Sequence, residues 1–171
     1  MFAVALLTLA LGFQAHSAAK STDPNYAALS LYEGTWQVSR ANHPSGSKPE
    51  VLANQCALVG IYFVCQQTVN GKAGALLVFI PTGQPGRYYT QTIMPEGRAT
   101  GRDDLEIAGD RWIYSSKRLN QGTTTYYRTI NVFQGKNKIH FERAESTNGR
   151  EWSVKNSGDE VRLGGSGKAA R

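Results

Sequence analysis

The two cysteines of this chain, Cys56 and Cys65, flank Gly60 in the run Cys-Ala-Leu-Val-Gly-Ile-Tyr-Phe-Val-Cys. If Gly60 takes the positive φ of a two-residue type II′ turn, the residues on either side pair outward until Cys56 faces Cys65. The cysteines then fall on a non-hydrogen-bonded pair, whose Cα atoms approach to about 4.5 Å. That separation lies within the range that a disulfide spans. The run therefore predicts an antiparallel β protein with a disulfide-linked hairpin, in an oxidising compartment.

The N-terminus predicts the same compartment. Residues 2–13 are almost purely apolar, and small residues follow at Ala15 and Ser17–Ala19. A membrane-spanning helix needs about 20 apolar residues, whereas the core of a signal peptide needs only about 7–15. We predict a signal peptide over residues 1–19 and a periplasmic or secreted protein with no integral membrane segment after cleavage. The run departs from the usual pattern because neither Lys nor Arg precedes it.

The remaining chain is predicted to form one domain over residues 20–163, followed by a flexible Gly/Ser-rich tail over residues 164–171. A short helix should open the domain. Asp23 is a good N-cap, Pro24 suits the first helical position, and Gly34 ends the segment.

Runs rich in β-branched and aromatic residues, separated by short turn-type segments, fill the rest of the domain. We predict strands over residues 35–41, 51–59, 61–69, 73–80, 87–94, 100–107, 111–118, 123–133, 138–144, 150–155 and 160–163. Because the connections are short, consecutive strands should be neighbours. The predicted fold is all-β: an antiparallel up-and-down barrel of roughly eight to ten strands with a short N-terminal helix. A two-sheet sandwich is the alternative. Closure removes exposed edges, and a barrel of this size holds one small ligand.

Two short motifs carry a resemblance to a known group of barrels. Gly34-Thr35-Trp36 follows the predicted helix and opens the first strand, and Gly109-Asp110-Arg111-Trp112 opens a late one. In these motifs the chain resembles the calycin superfamily, which contains the lipocalins. More narrowly, it is similar to a bacterial family of exported lipocalin-like proteins of uncharacterised function.

The resemblance implies a structural role for Trp36, whose ring would pack at the closed barrel end against an arginine from a late strand. Arg143 and Arg162 are both candidates. Related haem-binding barrels use a histidine ligand, and His140 is the strand-borne histidine that follows the predicted signal. It has no supporting motif, so we predict no cofactor. The disulfides typical of secreted lipocalins are also absent, which leaves a specific transport function undecided.

Candidate ligand-binding residues lie on one face of the later strands, and this face would line a cavity with few polar groups. The predicted residues are Tyr88, Thr90, Trp112, Tyr114, Tyr126 and Arg128, with Thr92 on the same face. Arg128 is flanked by core-like residues, and a buried guanidinium needs a partner such as a ligand carboxylate or phosphate. The competing interpretation is that these Tyr and Arg side chains cover a solvated outer face.

Other chemistry finds little support. The spacing of histidines and cysteines predicts no metal site, and no nucleophile motif or phosphate loop is present. Asp103 and Asp104 adjoin Glu106, but neighbouring strand residues point to opposite faces, so a solvated edge is expected. The net charge is +6, yet Lys and Arg are scattered, which argues against a nucleic-acid surface. The excess charge suits an anionic envelope surface or an anionic ligand.

Three functions follow. The first is an exported protein that binds a small hydrophobic or amphipathic molecule, anionic ligands included. The second is an enzyme on the same scaffold, of the isomerase, cyclase or lyase type, with Tyr and Arg as acid and anion holder. The third is an envelope interaction module without a cavity. Sequence favours the first only through fold analogy, and it leaves ligand identity, catalysis and oligomeric state open.

Overall fold

The computed structural model describes residues 24–44 and 46–164. The predicted signal peptide, Asp23 and most of the predicted tail lie outside these residues. A short helix, α1 (Pro24–Ala27), leads into a 3-10 turn (Leu29–Tyr32). Ten strands follow: β1 (Gly34–Arg40), β2 (Glu50–Val59), β3 (Tyr62–Val69), β4 (Lys72–Pro81), β5 (Arg87–Ile93), β6 (Asp103–Ala108), β7 (Arg111–Asn120), β8 (Thr123–Gln134), β9 (Lys138–Ser146) and β10 (Ser153–Arg162).

The ten strands form one closed antiparallel barrel in which each strand pairs with its neighbours in sequence, and β1 closes the ring on β10. At the closure Trp36 lies opposite Arg162, and Arg40 lies opposite Gly158. The all-β barrel prediction is confirmed, and the two-sheet alternative is wrong. Within the described residues no helix is long and apolar enough to cross a bilayer.

The hairpin between β2 and β3 has the predicted register. Gly60 adopts φ 60°, and the pairing runs outward to Cys56 opposite Cys65, which form a disulfide with their Cα atoms 4.1 Å apart. A glycine is required at the turn because the backbone there lies in the left-handed region.

Removing the disulfide with Cys56→Ala/Cys65→Ala should lower the free energy of unfolding by about 2–3 kcal/mol, because the bond closes a short loop in the unfolded chain. Guanidinium denaturation measures this loss. Reductant should bring the wild-type midpoint down to that of the double variant and leave the variant unchanged. A wild-type midpoint that ignores reductant would contradict the expectation.

The end of the barrel differs from the prediction. The two strands expected over residues 150–155 and 160–163 are one strand, β10, with an irregularity near Asn156. Gly158 falls in the connection predicted between those two strands, but it lies inside β10. A Cβ atom there would overlap the carbonyl oxygen of Ser39 and lie 2.8 Å from Cζ of Phe141. This glycine therefore permits close packing at the barrel closure rather than a change of direction.

One end of the barrel is closed by the N-terminal segment. Tyr26, Leu29 and Trp36 are buried there with Trp112 and Phe133. The phenol of Tyr26 donates a hydrogen bond to the carbonyl oxygen of Ile61, at 2.6 Å, which ties α1 to the β2–β3 hairpin.

Arg162 holds the N-terminal segment and Trp36, which together form the plug of the closed end, in place. Its guanidinium lies 4.1 Å from the centre of the Trp36 ring and donates hydrogen bonds to three carbonyl oxygens, those of Leu31, Glu33 and Lys136. Of the two arginines proposed to pack on Trp36, it is thus Arg162 that does so. The opposite end of the barrel carries the connections β1–β2, β3–β4, β5–β6, β7–β8 and β9–β10, and no helical segment lies there among the described residues.

Candidate functional site

The barrel interior contains a cavity of about 600 Å³ that is open at one end. Its apolar lining comes from inward-facing strand positions and from the residue that follows β5: Leu52, Val69, Leu77, Phe79, Phe141 and Met94. Uncharged polar side chains share this lining: Gln67, Thr90, Thr92, Thr100, Thr129 and Asn131. The cavity therefore offers both an apolar surface and hydrogen-bonding groups, as small-molecule sites do.

Glu160 of β10 is the most deeply buried acid of this cavity, with only 8% of the residue exposed. Its Oε2 atom has no hydrogen-bond partner among the residues that the structure describes. Burial raises the pKa of Glu160 to about 7, and the positive charge of Arg40 only partly opposes this rise. Arg40 is itself engaged elsewhere, because its Nε and Nη2 atoms both lie 2.9 Å from Oε2 of Glu50.

Two tyrosines face the same part of the cavity. Tyr32 comes from the 3-10 turn, with its ring stacked on Trp112 at 6.0 Å, and Tyr114 comes from β7. Burial raises the pKa of both phenols well above the usual range, and the negative charge of Glu160 raises each pKa further. Both phenols therefore stay protonated at neutral pH, and each carries an O–H that can donate to a ligand.

A second carboxylate reaches the lumen from β6. Asp103 lines the cavity, its Oδ1 atom is buried without a hydrogen-bond partner in the described part of the chain, and its charge also raises the pKa of Tyr114. Asp104 points outward, and Glu106 makes a surface ion pair of 3.0 Å with Arg87. The acidic cluster is thus divided between faces, and Asp103 belongs to the interior rather than to a solvated edge.

Arginines lie nearer the open end. Arg118 and Arg143 line the same cavity, yet both are exposed, in contrast to Glu160. The guanidinium of Arg118 lies 5.2 Å from the centre of the Tyr127 ring. The lumen therefore has cations at its mouth and carboxylates with phenols deeper inside.

Four of the six residues predicted to bind ligand lie inside the barrel. Thr90 and Tyr114 line the cavity, together with Thr92. Tyr88 and Trp112 are also inside but are packed in the core of the closed end, where 3% and 0% of these residues are exposed.

Tyr126 and Arg128 lie on the outer face. The β7–β8 register pairs Tyr114 with Thr129 and places Arg128 opposite Ser115, so Thr129 takes the interior position. The guanidinium of Arg128 lies 4.2 Å from the centre of the Trp152 ring, from the connection between β9 and β10. Arg128 does not line the lumen cavity, and its aromatic partner Trp152 is a half-buried residue of the same protein.

Sequence reasoning missed Tyr32, Asp103 and Glu160. A signal for Glu160 was present, because strand residues two apart share a face. Once Arg162 is assigned to the Trp36 plug, Glu160 must also point inward. The same alternation indicates an inward-facing Asp103, because it lies two residues before Leu105, which is buried.

His140, the histidine considered as a haem ligand, lies on the outer face of β9. Its Nδ1 atom lies 2.9 Å from Oδ1 of Asp159, and 41% of each side chain is exposed. Hydrogen bonding to His140 is the main cause that lowers the pKa of Asp159. No cluster of three or more His, Cys, Asp or Glu side chains suited to a metal occurs within residues 24–44 and 46–164.

No protein-family model matches the chain, and no curated protein matches it. The crystal structure of Rv2717c from M. tuberculosis is similar in fold, with a TM-score of 0.50 and 15% sequence identity. The alignment covers 82% of this chain and 98% of that chain. At this identity the likeness shows the barrel fold alone.

Proposed function

We propose that this protein is an exported, calycin-like barrel that binds a small amphipathic molecule in its lumen without changing it. The observation that carries the proposal is the open cavity of about 600 Å³ at the centre of the barrel. Ligand sites of drug-sized molecules have volumes of about 300–1,000 Å³ and combine an apolar lining with a few polar groups.

The polar groups of the lumen also support binding. A buried carboxyl atom without a partner is unfavourable, and it is tolerated where another molecule supplies the missing hydrogen bond. Glu160 and Asp103 each have such an atom at the cavity. An interaction module without a cavity would have its barrel filled by side chains, so the open lumen favours the binding protein.

Export is part of the proposal and is supported by the cysteines. Cys56 and Cys65 lie directly opposite each other and are bonded, and structural disulfides persist in oxidising compartments. The calycin assignment is supported by the packing of Arg162 on Trp36, which the resemblance to lipocalins implies.

Filling the lumen should abolish binding. Thr92 lines the cavity, so Thr92→Phe places a ring where the ligand would lie. We expect the fluorescence titration of the neutral probe N-phenyl-1-naphthylamine to show at least tenfold weaker binding to this variant. Gln55→Phe is the matched control, because Gln55 is an exposed residue of β2. Equal binding to both variants, or equal loss, would place the probe outside the lumen.

A second candidate function is catalysis, favoured by the carboxyl group of Glu160 facing the same cavity as two phenols. A carboxylate whose pKa is about 7 suits a general base, and Tyr32 and Tyr114 would donate hydrogen bonds to a developing oxyanion. Such a site would exchange the α-hydrogens of a bound ketone with D₂O. If it is catalytic, Glu160→Gln should abolish exchange of a ketone such as 1-indanone; exchange no faster than in buffer would dismiss this candidate.

A further inference from the structure

The carboxylates inside the lumen point to a particular class of ligand. Glu160 is 8% exposed, faces the cavity, and keeps its Oε2 atom without a hydrogen-bond partner in the described chain. Asp103 lines the same cavity with an equally unpartnered Oδ1 atom. Both negative charges raise the pKa of the Tyr114 phenol, so both carboxyl groups lie near this hydroxyl.

Among the described residues no cation makes an ion pair with Glu160 or Asp103, although the charge of Arg40 partly lowers the pKa of Glu160. Arg40 directs two of its nitrogen atoms to Glu50, at 2.9 Å each, rather than to Glu160. Arg118 and Arg143 are exposed near the mouth. Glu160 therefore has no hydrogen-bonded cation among the residues described, although a buried carboxylate is stabilised chiefly by such a partner.

The rings around the cavity would also favour a positive charge. Phe79 and Tyr32 contribute aromatic rings to the lining, and aromatic faces attract ammonium groups. The ring of Phe141 also lines the cavity, but the guanidinium of Arg40 already lies 5.7 Å from its centre. The titratable and charged groups that share the cavity with Glu160 come from five elements: Arg40, Tyr32, Asp103, Tyr114, Arg118 and Arg143.

We propose that the lumen selects an amphipathic ammonium compound, whose cationic head lies between Glu160 and Asp103 and whose apolar body packs on the aliphatic lining. This inference rests on the proposed binding function. Selection follows from charge, because a neutral molecule of the same shape would leave both carboxylates without a counter-charge.

Phenyltrimethylammonium and its neutral isostere tert-butylbenzene provide the test, since they differ only in replacing a carbon by a charged nitrogen. Each is titrated against protein carrying N-phenyl-1-naphthylamine, and displacement of this neutral probe gives its affinity. We expect the ammonium compound to bind at least tenfold more tightly than the isostere at pH 8. Its affinity should rise about tenfold from pH 6 to pH 8 as Glu160 loses its proton.

Two lumen variants and one surface variant complete the experiment. Glu160→Gln should remove most of the preference for the ammonium compound and most of the rise of its affinity with pH. Asp103→Asn should lower the affinity for the ammonium compound at both pH values. Glu142→Gln should change neither, because Glu142 is exposed on β9 opposite the outward-facing residue Ile130. Circular dichroism verifies that each variant is folded.

The outcomes separate the two proposals. Equal binding of the two compounds, or a preference that survives in both lumen variants, would overturn the ammonium inference while displacement of the probe upholds a binding lumen. An affinity that falls as the pH rises would also overturn it, because binding would then favour the protonated carboxyl group of Glu160 over the carboxylate. Failure of the neutral probe itself to bind would overturn the proposed function as well.

Discussion

Replacing Glu160 by Gln is expected to stabilise the protein by about 3 kcal/mol above pH 8 and to have little effect near pH 4. The pKa of Glu160 is about 7 in the folded state against 4.5 for an ordinary glutamate, and each pKa unit corresponds to about 1.4 kcal/mol. The folded state therefore holds this proton more tightly than the unfolded state. The protonated carboxyl group therefore contributes stability that is fully present below pH 4.5 and is lost as the pH rises through 7.

Urea denaturation at intervals from pH 4 to pH 9 measures this effect. The wild-type free energy of unfolding should fall across the window from about pH 4.5 to pH 7, and most of that fall should be missing from Glu160→Gln. Glu142→Gln, an exposed change of the same kind on the outer face of β9, should keep the wild-type slope. Parallel curves for wild type and Glu160→Gln would show that the carboxyl group is hydrated or paired.

Arg162→Met should lower the free energy of unfolding by about 3 kcal/mol or more. The guanidinium joins three carbonyl oxygens from separate parts of the closed end and covers the Trp36 ring. A hydrogen bond to a charged group contributes about 1.5–3 kcal/mol and a cation–π contact about 0.5–2 kcal/mol, with partial exposure reducing both. Arg162→Lys should recover little of the loss, because an ammonium group cannot reach all three carbonyls in one plane.

Chemical denaturation measures the loss of stability. Near-ultraviolet circular dichroism of the tryptophans reports the loss of fixed packing around Trp36. Arg111→Met is the control, since Arg111 is an exposed residue at the start of β7 near the same end of the barrel. A loss no greater than that of the control would mean that the N-terminal segment is held by its apolar contacts alone. The ligand cavity should then be unaffected by the charge of Arg162.

Local sequence rules predicted the barrel where local geometry decides the outcome. The turn at Gly60 sets the pairing of every residue up to Cys56 and Cys65, so the hairpin register could be derived from ten residues. The same rules failed at Gly158. Its glycine serves a contact with Ser39 across the barrel closure, and that contact does not exist until the first and last strands meet.

The candidate site was less predictable because alternation gives two faces without saying which one is inside. In β8 both faces carry aromatic residues, and Arg128 was assigned to the face that the register places outside. Glu160 was not among the candidates, because the strand predicted over residues 160–163 was too short to show which of its faces points inward. Its interior position follows from Arg162, whose role depends on the N-terminal plug.

Native mass spectrometry of the protein purified from its own source tests the central claim, that the lumen holds a small molecule, most directly. We expect a species heavier than the mature chain by a few hundred daltons, a mass suited to the cavity, which gentle activation converts to the bare chain. Thr92→Phe purified in the same way should lack this species, and Gln55→Phe should retain it. Bare chain alone in the wild type, or an adduct that persists in Thr92→Phe, would contradict a ligand-binding lumen.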